Sequence, residues 1–195
     1  MRIVLVRHGK PDAVRTAAIT GLDIGQWVRH YNEVGITREF APPALARQLA
    51  SAARCMIASD LPRAMESAAW LAASRDVRVD RELREAGLPE SLHISIRMSP
   101  GAWVVLARVA WWLNWCQSEE TIAMTRQRAG RVADRLGVLA AEHGSVLAIG
   151  HGMFNRFVAR QLLRRGWRDP KVFPTGYWAV AQFDRGDRPV GEGMR

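Results

Sequence analysis

Met1-Arg-Ile-Val-Leu-Val-Arg-His-Gly9 decides how the chain is read. Residues 1–6 are a short apolar, β-branched run, which predicts a buried strand. Arg7-His8-Gly9 closes that run, so an arginine and a histidine are expected at a strand's carboxyl end, where open α/β sheets bind ligands. The arginine fork matches phosphate oxygens, and a neutral imidazole nitrogen is a nucleophile. Gly9 is expected to let the backbone turn and leave the imidazole uncovered. Alone, the tripeptide also fits a strand edge with no chemistry.

Working outward, Cys55-Met-Ile-Ala58, Val77-Arg-Val79 and Val146-Leu-Ala-Ile149 predict further strands, and residues 177–184 a last one at the sheet edge. Helical patterns fall over residues 23–33, 44–53, 61–74, 103–117, 119–143 and 153–165, the first expected to cover part of a site entrance. Strands alternating with helices imply a three-layer α/β/α sandwich around a mostly parallel sheet. Ser59-Asp60 supplies N-cap chemistry for the third helix, and Arg63 sits in its first turn, where free amides and the dipole favour an anion. Gly150-His151-Gly152 repeats the first motif: buried strand, histidine at its tip, glycine, helix. Arg7-His8, Ser59 and His151 thus all fall at carboxyl ends of predicted strands. No repeat or composition break divides the chain, so a single domain over 1–185 is expected, with a disordered tail over 186–195.

Composition narrows the classes. The 195 residues suffice for one full core, and 48% hydrophobic with 24% charged residues is ordinary for a globular chain. The net charge of +9 makes anionic partners plausible, but Lys10 and Lys171 are the only lysines and the arginines are scattered. A coding bias explains that pattern better than a nucleic-acid face, since no basic run or nucleic-acid motif accompanies it. Cys55 and Cys116 stand in no zinc or CxxC spacing. They read as thiols in a reducing, cytoplasmic compartment, and no signal peptide or membrane span is apparent.

The chain resembles the histidine phosphatase superfamily, the phosphoglycerate mutase-like or RHG-motif proteins, and specifically its phosphatase branch. Arg7-His8-Gly9, Ser59-x-Leu61-x-Arg63-Ala64-x-Glu66-x-Ala68, Leu83-Arg84-Glu85 and Gly150-His151-Gly152 carry the resemblance, in the family's order and at family-like spacings. It implies a phosphoglycerate mutase-like fold and a phosphomonoester hydrolase of the histidine acid phosphatase type, working through a phosphohistidine on His8. His151 would share in catalysis, and Arg7, Arg63 and His151, with Gly9 and Gly152, would bind the phosphoryl group. Glu85 matches the family's proton donor, with Glu82 and Glu90 as rivals. No cofactor and no metal are implied: arginine and histidine supply the positive charge, and the sequence has no acidic cluster suited to magnesium. The implied partner is a small phosphorylated metabolite or a phosphoprotein, with no nucleic acid; a homodimer is left open.

Two stretches depart from the family pattern. Lys10-Pro11-Asp12-Ala13-Val14 follows the first motif in place of the family's acidic, Thr/Ser and Asn positions, and Leu88-Pro89-Glu90-Ser91 replaces an aromatic-Glu-Gly stretch. They leave the substrate open, along with two other readings: a non-catalytic phosphate-sensing or interaction domain, and a phosphomutase, for which residues 85–151 offer little room. The tryptophan-rich segment Trp103, Trp111, Trp112 and Trp115 is expected to face the core.

Overall fold

The computed structural model describes residues 1–12, 17–116, 118–168 and 175–186. Residues 187–195 of the expected disordered tail lie outside this set. β1 (Arg2–Arg7), β2 (Cys55–Ala58), β3 (Arg78–Val79), β4 (Ser145–Gly150) and β5 (Val180–Asp184) form one sheet in the order β3-β2-β4-β1-β5. All neighbours pair parallel except β5, which runs antiparallel to β1 at the edge, as expected. Register aligns Arg7 with Gly150 and Ala58 with Ile149, so the three central strands end side by side.

The central strands β1, β2 and β4 are apolar through their middles because both faces are buried, whereas the edge strands β3 and β5 are exposed or alternate. Ile3 and Leu5 of β1 point into one cluster, packed by α5 (Ile122–His143) and α6 (Gly152–Arg164). Val4 and Val6 alternate into the opposite cluster, packed by α2 (Ala44–Ala52) and α3 (Pro62–Ala72). The result is the expected α/β/α sandwich. A third, smaller cluster of Ile24, Leu92, Trp103, Ala107 and Ala110 joins α1 (Ile24–Glu33) to α4 (Pro100–Trp112). The Trp103 indole donates to the Ile19 carbonyl at 2.8 Å, fastening α4 to the chain before α1.

Two expectations need correction. Ser59 and Asp60 do not cap α3: Leu61 holds the N-cap position without a side-chain bond, and Pro62 follows at a place where a missing N–H costs nothing. Ser59 and Asp60 are thereby free for other partners. The tryptophan segment does not face the core throughout, because α4 is apolar on all sides and has neighbours on only some. Trp103 and Trp111 are buried, whereas Trp112 is 39% and Trp115 78% exposed. The helix also ends at Trp112, short of residue 117, and α5 begins at Ile122, where the Thr121 hydroxyl accepts from the Met124 amide.

Candidate active site

The site is built first by backbone. The His8 amide donates to the Gly150 carbonyl at 3.0 Å, and the Ser59 amide to the Ile149 carbonyl at 2.9 Å. These bonds continue the parallel ladder one residue past each strand and hold His8, Ser59 and His151 abreast. Glycines then make room rather than turns. A Cβ on Gly9 would stand 2.6 Å from the Trp178 ring, and one on Gly152 would stand 3.1 Å from Arg7 Nε. Gly9 therefore serves close packing, and its φ is not left-handed; its amide donates to Ser67 Oγ at 2.8 Å.

His8 and His151 lie with ring centroids 5.0 Å apart and are buried. His8 Nδ1 faces the Gly9 carbonyl at 2.7 Å, so that nitrogen carries the proton and Nε2 keeps its lone pair. Burial pushes the His8 imidazole well below its ordinary value, and the neighbouring His151 and Arg63 push it further. Burial, then Arg63 and Arg7, does the same to His151. Both rings are neutral near pH 7. His151 Nε2 meets Ser59 Oγ at 3.0 Å, while its Nδ1 is buried with no partner among the described residues.

Arg7 lies beneath the Tyr177 ring, 4.6 Å from its centroid, and Tyr177 itself is 5.9 Å from the His8 ring. Arg63 is fully buried; it donates to the Tyr31 carbonyl at 3.0 Å and to Asn32 Oδ1 at 3.2 Å, tying the end of α1 to the start of α3. The Tyr31 ring covers its guanidinium at 4.7 Å, and burial pushes the Tyr31 phenol up to about 12. The Nε atoms of both arginines are buried without a partner among the described residues. Such donors are costly unless an acceptor arrives.

Glu85 is half-buried, and its carboxylate meets the start of α6. Oε1 accepts from the amides of Ala86 at 2.9 Å and Phe154 at 2.8 Å, and Oε2 accepts from Met153 at 3.2 Å. Neither Arg84 nor Arg81 takes it, since both turn to Asp60, Arg84 through two bonds of 2.6 and 2.7 Å. Of the rivals, Glu82 is paired with Arg131 and Arg135, and Glu90 is exposed. A cavity of about 560 Å³ has His8, Arg63, Glu85, Glu82 and Glu90 on its wall, together with Trp27, Val28 and Tyr31 of α1. Arg7, His151, Gly9 and Gly152 are not on that wall: Arg7 and Gly9 flank His8 in the chain, the His151 ring lies beside it, and Gly152 packs on Arg7. Lys10 turns to the Phe40 ring at 4.3 Å.

Several residues of this neighbourhood escape a sequence reading. Ser67 and Tyr177 carry no motif; Asn155, which donates to the Val6 carbonyl at 3.1 Å, is marked in the sequence only by its place, with Arg156, early in the helix after His151, where a helix-surface role reads equally well. Tyr31 left a trace as the i+4 partner of Trp27 on an amphipathic helix.

The fold and site together define an α/β protein with a buried pair of neutral histidines flanked by two arginines at the carboxyl ends of parallel strands. The chain belongs to the histidine phosphatase superfamily, branch 1, whose family model matches residues 3–189. Its fold is that of the phosphoglycerate mutase-like members. It is similar to the mycobacterial glucosyl-3-phosphoglycerate phosphatase, with 22% identity, 84% of this chain and 79% of that one covered, and a TM-score of 0.54. It is likewise similar to the phosphoserine phosphatase of Entamoeba histolytica, with 13% identity, 93% and 89% covered, and a TM-score of 0.57. No curated protein sequence matches the chain. No helix among the described residues is long and apolar enough to cross a membrane.

Proposed function

We propose that the protein is a metal-independent phosphomonoester hydrolase that works through a phosphohistidine on His8. The observation that carries this reading is the set of buried groups lacking partners among the described residues: Nε of Arg7, Nε of Arg63 and Nδ1 of His151. With the Ser59 hydroxyl donating to His151 Nε2, Nδ1 of that ring is a third free donor. Three donors beside a neutral imidazole fit the non-bridging oxygens of a phosphoryl group, where positioning and charge neutralisation carry most of the catalysis.

In the first step His8 Nε2 attacks phosphorus, an N–P bond forms and the ester P–O bond breaks. The leaving alkoxide takes a proton from the Glu85 carboxyl. In the second step water attacks phosphorus, Glu85 takes a proton back, the N–P bond breaks, and inorganic phosphate leaves with His8 neutral again. The cavity volume suits a small phosphorylated metabolite, being within the range of ordinary ligand pockets. A non-catalytic phosphate-binding domain is the second reading, favoured by the three amides that already occupy Glu85.

Hydrolysis of p-nitrophenyl phosphate in EDTA, by wild type, His8→Ala and Glu85→Gln, separates them. We expect EDTA-resistant turnover that His8→Ala abolishes. Glu85→Gln should keep most of it, because p-nitrophenolate leaves without a proton, yet lose about 10²–10⁴-fold on an alkyl phosphate. Folded wild type that turns over neither ester would leave the binding domain as the answer.

A further inference from the structure

The outer half of the cavity has a composition of its own. From Arg63 outward, the Tyr31 ring lies over the guanidinium at 4.7 Å, and the Trp27 ring stacks on Tyr31 at 5.0 Å with an interplanar angle of 18°. Both aromatic residues are only half-buried and lie on the cavity wall, with Leu88, Pro89 and Val104 also lining it. A guanidinium-tyrosine-tryptophan stack thus runs from Arg63 along the cavity wall. We propose that this stack is a recognition platform for a flat aromatic ring on the substrate's leaving group. The proposal deepens the phosphatase reading and rests on it for the phosphate end of the site.

Charge in the same cavity argues against a second anionic group on the substrate. Arg84 is held by Asp60. Arg108 donates to the carbonyls of Gly87 and Ala86, and Arg128 is paired with Glu120. A substrate carboxylate or second phosphate would have to take one of these from a partner it already has. Arg29 and Arg81, the latter 3.7 Å from Asp60, are the remaining lining arginines beyond Arg63, and both are exposed to water, where a charge contact is weak. Apolar walls and a π-face instead favour a neutral, planar group. Indole and phenol rings hold such groups by stacking, which tolerates different ring systems.

The test compares adenosine 5′-monophosphate with ribose 5-phosphate, which release the same class of primary alkoxide and differ by the base. We expect kcat/KM to be about tenfold or more higher for the nucleotide, as stacking on one aromatic side chain provides. Trp27→Ala should collapse that ratio towards one, and Trp27→Phe, which keeps a π-face, should restore most of it. Equal values for the two substrates in wild type, or a ratio unmoved in Trp27→Ala, would overturn the proposal. Calorimetric titration of wild type and Trp27→Ala with the nucleotide and with inorganic phosphate keeps the two readings apart. If no ester is hydrolysed, the phosphatase reading falls. The platform then stands only if the nucleotide binds wild type more tightly than phosphate and loses that advantage in Trp27→Ala.

Discussion

His8 and His151 enter the resting site as neutral imidazoles, held so first by burial and then by the cations around them. For His8 this keeps a lone pair on Nε2, the nitrogen we propose as nucleophile, at pH values where a free histidine would already be half protonated. The same burial ties the two rings to folding. Below about pH 6.5 the unfolded chain takes up protons at these positions that the folded chain refuses, so stability is full above that value. It falls as pH drops from there towards the lowered folded values, by up to about 1.4 kcal/mol per pH unit for each ring. The hydrogen bond from Arg84 holds Asp60 below its ordinary value of 3.8, so that carboxylate acts in a more acid window. Urea unfolding between pH 7.5 and 5.5 should show the loss, and His151→Gln should lessen it; a flat wild-type profile would sink the argument.

At the scale of elements, the loop that carries Glu85 is held from outside by α5. Arg128 pairs with Glu120 at 2.7 Å, donates to the carbonyls of Glu82 and Arg84 at 2.6 and 2.9 Å, and lies over the Phe154 ring at 3.8 Å. Phe154 in turn gives its amide to Glu85. One guanidinium thereby sets the acid loop against the start of α6. Because the pair is largely buried, removing one partner strands the other. Arg128→Met should cost about 3–5 kcal/mol of stability, read by urea unfolding. The same variant should lower kcat on an alkyl phosphate more than on p-nitrophenyl phosphate, because the displaced loop carries the proposed proton donor and only the alkoxide needs one. An equal loss on both esters would make Arg128 structural only. Glu66 does similar work for α3, accepting from the Ile36 amide at 2.7 Å and so fixing the loop that follows α1.

For the whole molecule, the proposed phosphate binding is linked to folding. The donors of Arg7, Arg63 and His151 that lack partners among the described residues come together only in the folded chain, so an anion bound by them stabilises it by mass action. Inorganic phosphate at about a hundred times its Kd should add about 2.7 kcal/mol to the unfolding free energy. Thermal unfolding with phosphate and with chloride at equal ionic strength reads this. The difference should vanish in Arg63→Met, and a shift that survives there would place the anion elsewhere on a chain of net charge +9.

The sequence by itself determined the layers and the strand tips. Apolar runs at residues 2–6, 55–58 and 146–149 can be buried only as central strands, and their order with the helices leaves an α/β/α sandwich. His8 and His151 were legible because each follows a strand directly, where chain direction alone brings it to the carboxyl edge, and Arg63 because it sits in the first turn of the helix that follows β2. Glu85 was legible only through its resemblance to the family, since nothing local marks one loop carboxylate among Glu82, Glu85 and Glu90. Tertiary structure alone decided the rest. Trp178, 169 residues from Gly9, supplies the reason for that glycine. Tyr31 and Asn32 reach Arg63 from another helix, and Glu85 turns to α6 rather than to the arginine beside it in sequence. The physical reason is range: periodicity and strand direction act over a few residues, whereas a side chain's partner is settled by which elements pack across the sheet edge.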